Sequence, residues 1–486
     1  MISQFDSLKR VHIIGVCGTL MGAFAAFLKR KGLSVSGSDQ NIYPPMSELL
    51  KTAGVELHLG YRRENLFSVT SGSINKPDLV VIGNVIRANN PEAQAAMNEG
   101  LTYASLPEAM ENLFLQTTRN LVVAGTHGKT TTSSLLAHTL VSAGKKPSYF
   151  IGGISQDLPV SFHIEPGMEE GRGGLFVLEG DEYDTAFWDK VPKFNHYCPD
   201  DVILTSVEYD HADIYPDFAA CERAFEGLIS RIRTKGRLIA CFEYESVRKL
   251  ARRAQVPILS YASRAGEGVQ FTPGNVRFEE GITRFEVLDQ GTPVGEVSLQ
   301  IPGMHNVLNA LSVWILSRCH GLSSDQVAQA MKSFRGVKRR QELLGEFRGV
   351  MVIDDFAHHP TAVRETLRAL RTKYPKRRLV AVFEPRSATS RRKIFQNDYV
   401  TALSLADATY ISSPYDQSEI SVDQQFSSET LAADLSKNGK TAQVFKTIGL
   451  GVLSVAESSR SNDLVAVLSN GGFGGFITKL IEELSR

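Results

Sequence analysis

Gly125-Thr126-His127-Gly128-Lys129-Thr130-Thr131-Thr132 decides how this chain is read. The apolar run Leu121-Val122-Val123-Ala124 precedes it, and Ser133-Ser134-Leu135-Leu136-Ala137-His138-Thr139-Leu140 follows with the spacing of an amphipathic helix. Strand, glycine-bearing turn and helix form the setting a phosphate cradle requires. Two glycines let the backbone come close to oxygen atoms, and the helix N-terminus offers free N–H groups and the positive end of a dipole. Lys129 adds a charge and the Thr130 hydroxyl suits magnesium. The spacing is unusual, because the first glycine of G-x-x-x-x-G-K-[ST] would fall on Val123. A plain tight turn with a solvated lysine is the competing reading, and the flanking strand and helix weigh against it.

With 486 residues, and about 150 per domain as a guide, three domains are expected. Lys+Arg and Asp+Glu balance at 53 each, so no general field draws nucleic acid or an anionic membrane to the chain. Small molecules in local sites are the expected partners. Cys17, Cys198, Cys221, Cys241 and Cys319 are scattered, with no C-x-x-C pair, which fits a reducing compartment rather than a disulfide framework or zinc cluster. Met1-Ile2-Ser3-Gln4-Phe5-Asp6 lacks a signal layout, and no apolar run approaches the roughly 18 residues of a membrane span. A cytoplasmic, soluble protein is expected.

Upstream, Val11-His12-Ile13-Ile14-Gly15-Val16 reads as a buried strand leading through Cys17, Gly18, Thr19 and Gly22 into a helix, and a second strand ends at Asp39. This is a dinucleotide-type βαβ opening, although G-x-x-G-x-x-x-G would hold any diphosphate, a UDP-sugar included. Asn84 follows the strand Leu79-Val80-Val81-Ile82, at the end where open sheets bind ligands. A nicotinamide-dependent oxidoreductase would share this opening but would leave the phosphate loop without a purpose.

Downstream, a strand ends in Glu179-Gly180-Asp181-Glu182-Tyr183-Asp184, oxygen ligands of the kind magnesium prefers, and another leads to Glu208-Tyr209-Asp210-His211. From 268 to 302 the period shifts to alternating short strands, with turns expected at Pro273-Gly274, Glu280-Gly281 and Gln290-Gly291. A helix opening at Met304 puts Asn306 and Asn309 on one face, where an amide can read an adenine edge or cap the helix. Phe334-Arg335-Gly336-Val337-Lys338-Arg339-Arg340 is a basic hinge candidate. Beyond it the α/β rhythm restarts with Asp354-Asp355-Phe356-Ala357-His358-His359-Pro360, the cationic loop Glu384-Pro385-Arg386-Ser387-Ala388-Thr389-Ser390-Arg391, and Asn470-Gly471-Gly472. That loop suits a substrate bearing carboxylates. Residues 412–428 read as the loosest stretch.

G-T-H-G-K-T-T, E-G-D-E-Y-D, E-Y-D-H, M-H-N-x-x-N-A, R-R-x-E and D-D-F-A-H-H-P, in this order, resemble the ATP-dependent Mur ligase family over nearly the whole chain. The resemblance implies three α/β domains. These are a Rossmann-like UDP-sugar domain over 1–117, a P-loop ATPase-like parallel sheet with a small antiparallel patch over 118–336, and a Rossmann-like peptide domain over 337–486. It implies ATP bound by Gly125, Thr126, His127, Gly128, Lys129, Thr130 and Thr131, with Asn306 at adenine, Arg340 at the phosphates and Asp355 at the ribose. Lys129, His211 and Arg339 would carry catalysis, and Thr130, Glu179 and His211 would hold magnesium. Gly15, Cys17, Gly18, Thr19, Asp39 and Asn84 would hold the UDP-sugar, and His359 and Arg386 would face a murein peptide.

Glu182-Tyr183-Asp184-Thr185-Ala186-Phe187-Trp188-Asp189-Lys190 and Phe383-Glu384-Pro385-Arg386-Ser387 resemble most the family's recycling branch. That branch joins UDP-N-acetylmuramate to L-alanyl-γ-D-glutamyl-meso-diaminopimelate. The branch that adds L-alanine would be expected to show P-H-R-Y-T-R where Pro385-Arg386-Ser387-Ala388-Thr389-Ser390 stands. Some family members carry a carbamylated lysine, but 207–213 contains no lysine. A monomer or weak homodimer is expected.

Overall fold

The computed structural model describes residues 5–42, 46–70, 73–168, 173–279 and 281–486. Residues 1–4, at the start of the chain, and Glu280, in an expected turn, lie outside them. Among the described residues three sheets stand in sequence along the chain, beside a small hairpin of Ser68–Thr70 and Ser73–Asn75.

The first sheet runs Glu56–Leu59, Ser34–Asp39, Arg10–Ile14, Leu79–Ile82, Tyr103–Ser105, all parallel. Its order reverses beside the central strand, Arg10–Ile14. The turn at Gly15 therefore opens at the switch point where such sheets take ligands.

The second sheet has ten strands, in the order Phe162–His163, Ser148–Phe150, Leu175–Gly180, Arg119–Ala124, Asp201–Leu204, Arg237–Cys241, Ile258–Tyr261, Phe271–Glu279, Ile282–Asp289, Thr292–Leu299. Leu121 to Ala124 are wholly buried because the central strand is covered on both faces, which is why it reads as an unbroken apolar run. The helix Lys129–Ser142 is buried from Thr130 to Leu140, not on one stripe as its spacing suggested. It packs on the sheet beside two further helices that also cover it, Met304–Cys319 and Ser324–Lys332.

The last three strands form the expected antiparallel patch. Pro273-Gly274, expected to be a turn, lies inside the strand Phe271–Glu279 opposite Val287 and Glu286, with a register shift after Gly274. A side chain at Gly274 would press on Leu288, 2.9 Å away, so the glycine makes room rather than turning the chain. The turn between the last two strands has positive φ at Gln290 (48°) and Gly291 (84°), as a tight two-residue connection demands.

The third sheet runs Glu342–Phe347, Val350–Asp355, Asp463–Leu468, Arg378–Phe383, Ala408–Ser412, Thr441–Phe445, with only its first strand antiparallel. The 412–428 stretch is fastened. Gln417 Nε2 donates to the carbonyls of Arg391 (2.7 Å) and Phe426 (3.0 Å), and Gln425 Nε2 to that of Ile420 (2.9 Å).

The two junctions between sheets differ in kind. Phe24 and Phe27 from the first unit pack edge-on against Phe162 of the second, at 5.7 and 5.2 Å, inside one continuous apolar cluster. Phe187 and Trp188 reach back from the second unit onto the opposite face of the first sheet, where Trp188 meets Tyr103 at 5.4 Å. The third unit meets the second through hydrogen bonds, described below, and a few ring contacts such as His359 on His127 and Phe395 near Tyr209.

Candidate active site

The phosphate loop is shaped by close approach. At Gly125 φ is 135°, and a side chain there would run into Thr205 Oγ1 and lie 2.8 Å from both the nitrogen and the oxygen of Ser206. Thr126 N and His127 N donate to Ser206, at 3.0 and 2.9 Å, so the loop is laid along the neighbouring strand's exit. Gly128, at φ 80°, is the left-handed residue before the helix, and its missing side chain leaves Asn309 Oδ1 in place.

The carboxylates divide into two groups around this loop. Thr130 Oγ1 donates to Glu179 Oε1 at 2.6 Å, and Gly152 N to Glu179 Oε2 at 2.6 Å. Burial raises the Glu179 pKa, and those donors with Lys129 and Arg340 offset it only in part. On the other side Lys129 Nζ donates to Gly125 O (2.7 Å) and to Glu182 Oε1 (2.9 Å), and His211 Nε2 meets the same Glu182 oxygen at 3.0 Å. Burial works against the Lys129 charge, but Glu182, Asp181 and Glu179 outweigh it and raise its pKa. Burial likewise opposes the His211 charge, and Glu182 and Asp210 overcome it, raising its pKa to about 9. His211 has φ 56°, uncommon for a residue with a side chain.

From the third unit, Arg340 is half-buried and faces Asp355 and Glu179, whose charges support its own against burial. Arg339 also borders the cavity, but its guanidinium is held by partners of its own unit. Its φ of 58° turns it into its own unit, where it donates to Ser469 O (2.7 Å), Gly471 O (2.8 Å) and Asp354 (3.2 Å). Asp355 accepts from Gln341 N (2.8 Å) and Ala357 N (2.7 Å), which fixes the cavity wall. Asn306 gives its amide to Pro302 O (2.7 Å) and accepts from Asn309 (3.3 Å), so it steadies the start of its helix.

At the first unit, Gly18, Thr19 and Asn84 border the cavity. Asp39 is turned away from it, accepting from Cys17 N at 2.9 Å and Asn41 N at 3.3 Å. Gly15, Cys17 and Asp39 shape the turn beside the cavity without bordering it, and burial with the Asp39 charge pushes the Cys17 thiol up to about 11.

His359 and Arg386, expected to face a peptide, do not border the cavity. His359 is buried, its Nδ1 accepting from Thr361 N (3.3 Å) and its Nε2 meeting Tyr209 O (3.2 Å). Burial and the nearby His127 ring, 4.6 Å away, lower its pKa to about 3, so it is neutral. Its neighbour His358 borders the cavity instead. His127, Glu208 and His359 bring ligand-type atoms within 4.8 Å of one another, but with both His359 nitrogens committed the cluster is a contact between units. The Arg386 guanidinium stacks on Tyr415, 4.0 Å from the ring centre, while Ser387 and Ala388 line the cavity.

A cavity of about 1090 Å³ joins all of this, from Gly18 and Asn84 past Lys129 and Thr130 to Arg340, His358, Ser387 and Asn470. Glu182 and Asp210, which the sequence shows only as members of acidic runs, prove central, as does Thr389. Their partners are distant in sequence, and no local pattern points to them.

Three family models match: "Mur ligase family, catalytic domain" over 10–118, "Mur ligase middle domain" over 123–317, and "Mur ligase, glutamate ligase domain" over 339–471. The UDP-N-acetylmuramate–L-alanyl-γ-D-glutamyl-meso-2,6-diaminoheptandioate ligase of Escherichia coli (strain K12) is 37% identical over 478 residues, 98% of each chain. The chain belongs to the Mur ligase family. A crystal structure of a murein peptide ligase from Psychrobacter arcticus 273-4 matches this Mur ligase with TM-score 0.70 and 30% identity, covering 98% of this chain and 99% of that one. A UDP-N-acetylmuramate–L-alanine ligase from Renibacterium salmoninarum is 35% identical over 423 residues, 85% of this Mur ligase and 84% of the relative.

Proposed function

We propose that this Mur ligase joins UDP-N-acetylmuramate to L-alanyl-γ-D-glutamyl-meso-diaminopimelate through an acyl phosphate, with ATP as the phosphoryl donor, in cell-wall peptide recycling. The observation that carries this reading is the E. coli relative named for that activity, similar along 98% of both chains. The cavity gives it physical sense, because it runs from a diphosphate-type turn, past a phosphate loop, to a loop from the third unit. We take the units to divide near 117 and 336.

Lys129 and Arg340 are the cations positioned to hold the triphosphate and to spread charge as the γ-phosphoryl passes to the muramate carboxylate. Lys129 must first exchange Glu182 for phosphate oxygens. The donor set fits magnesium, since Thr130 Oγ1 and Glu179 are oxygen ligands 2.6 Å apart beside the loop, and His211 stands across Lys129 from them. Bound magnesium would supply charge neutralisation on the phosphates. Gly18, Thr19 and Asn84 suit the UDP-sugar end, and Ser387, His358 and Asn470 the peptide end. The peptide amine then attacks the activated carbonyl and phosphate leaves. No side-chain nucleophile takes part. Closure of the third unit on the second keeps water from the acyl phosphate.

Among the described residues no helix is long and apolar enough to cross a membrane, and the proposed substrates are small molecules met in the cytoplasm. A monomer or weak homodimer suffices, because all three units contribute to one cavity. The test is phosphate release with ATP, magnesium and UDP-N-acetylmuramate, comparing the tripeptide with L-alanine. Turnover with the tripeptide is expected. Turnover with L-alanine alone would give the chain the activity for which the Renibacterium relative is named, the second reading.

A further inference from the structure

The peptide-end loop and the segment bearing His211 are joined by one hydroxyl group. Thr389 Oγ1 donates to Asp210 Oδ1 at 2.6 Å, and the same oxygen of Asp210 accepts from His211 N at 2.8 Å. Thr389 Oγ1 in turn accepts from Ala212 N at 3.3 Å. Asp210 and Thr389 are both buried, 4% and 2% exposed, so these bonds are shielded from competing water. They bracket His211, whose φ of 56° has to be held by its surroundings.

Thr389 sits in a stiff turn. Ser390 N donates to Ser387 Oγ at 3.0 Å, Arg392 N donates to Thr389 O at 3.0 Å, and the hydroxyl groups of Ser387 and Ser390 are 2.9 Å apart. Ser387 and Ala388 line the cavity. A ligand that shifts them carries Thr389 with it, and Thr389 cannot move without releasing Asp210, which holds His211 N, and the backbone N–H of Ala212. A second bond lies at the other end of the segment, where Thr361 Oγ1 donates to Glu208 Oε1 at 3.0 Å and Glu208 N donates to Thr126 Oγ1 of the phosphate loop at 2.8 Å. The segment 208–211 is therefore clamped by the third unit at both ends; at the Asp210 end His358 Nε2 also stands 3.7 Å from the other carboxylate oxygen, but the shorter bond, at 2.6 Å, is that of Thr389.

We propose that Thr389 is a positioning residue that couples the two ends of the cavity: through Asp210 it seats His211 when the peptide loop is closed, so that nucleotide and peptide strengthen each other's binding. This rests on the ligase reading above. Binding free energies are reciprocal, so the coupling can be read from the peptide side without turnover.

The experiment is calorimetric titration of the tripeptide into the full-length protein holding UDP-N-acetylmuramate, with and without magnesium and a non-hydrolysable ATP analogue. In the wild type the analogue is expected to tighten peptide binding about tenfold, within the usual range of such coupling. Thr389→Val, which keeps the shape and removes the hydroxyl, is expected to cut that ratio below about twofold. Its peptide affinity without nucleotide should stay within about twofold of the wild type. Thr389→Ser is expected to restore the ratio, and Thr389→Ala serves in place of the valine variant if that one does not fold. A ratio in Thr389→Val or Thr389→Ala equal to the wild type's overturns the proposal, as does a wild type with no ratio. A wild type that binds no tripeptide in either arm but turns over L-alanine overturns the ligase reading beneath it.

Discussion

Gly125 and Gly128 can be tested as space and dihedral separately, because the chain carries its own control. Gly439 has φ 73° and no atom within 4 Å of the place a side-chain carbon would take, so Gly439→Ala should cost about 1–2 kcal/mol, the left-handed penalty alone. Gly128→Ala meets the same penalty at φ 80° and adds a contact 2.8 Å from Asn309 Oδ1, a carboxamide that can give way, for a total of about 2–3 kcal/mol. Gly125→Ala is worse. Its φ of 135° lies outside the region other residues adopt, and the Ser206 atoms 2.8 Å away are backbone, so at least about 3 kcal/mol is expected. Differential scanning calorimetry reads the order, with each kcal/mol lowering the transition of a unit this size by about 2–4 °C. ADP titration reads the site. Asn309→Ser in the Gly128→Ala background should recover about 1 kcal/mol by withdrawing the oxygen, and should not help Gly125→Ala. A Gly125→Ala protein that melts and binds ADP like the wild type would refute the argument that close packing on Ser206 shapes the loop.

Arg340→Met should raise the Michaelis constant for ATP or lower turnover by about 100-fold with little change in melting, whereas Arg339→Met should lose about 2–4 kcal/mol of stability in the third unit and retain most nucleotide affinity, as calorimetry and initial rates will show. For pH, His211 has its folded pKa raised from 6.5 to about 9, so its contribution is fully present below 6.5 and fades as pH rises through about 9. That interval corresponds to about 3 kcal/mol; the melting temperature of His211→Gln should therefore fall less than that of the wild type between pH 6 and 10, and parallel curves would refute it. Trp188→Ala should loosen the first unit and weaken UDP-N-acetylmuramate binding several-fold, with the wild-type emission of Trp188 changing on titration of that ligand and the change absent in Trp188→Phe.

Much of the fold was legible because the decisive strands are apolar runs ending in glycine or acidic residues, as at Ala124, Glu179 and Ile353. The phosphate loop was legible for the same reason: its residues are contiguous. The antiparallel patch announced itself by a change of period. What failed was orientation between neighbours. Arg339 and Arg340 are indistinguishable in sequence and both border the cavity, and only the fold shows that the Arg339 guanidinium is spent on Ser469, Gly471 and Asp354. His358 and His359 divide too, since His359 became the cap of the helix Pro360–Lys373. Asp39 was expected to help hold a UDP-sugar, yet it accepts from the amide of Cys17. Glu182 and Thr389 owe their roles to Lys129, His211 and Asp210, partners from other parts of the chain.

The contrast between the two junctions has a thermal consequence. Parting the first unit from the second exposes Phe24, Phe27 and Phe162, and apolar exposure raises heat capacity, so that separation must become strongly temperature-dependent. Parting the third unit breaks bonds such as Thr361 to Glu208 and Thr389 to Asp210, and polar exposure carries a smaller heat-capacity change of opposite sign. Parting the third unit is therefore expected to vary more gently with temperature than parting the first.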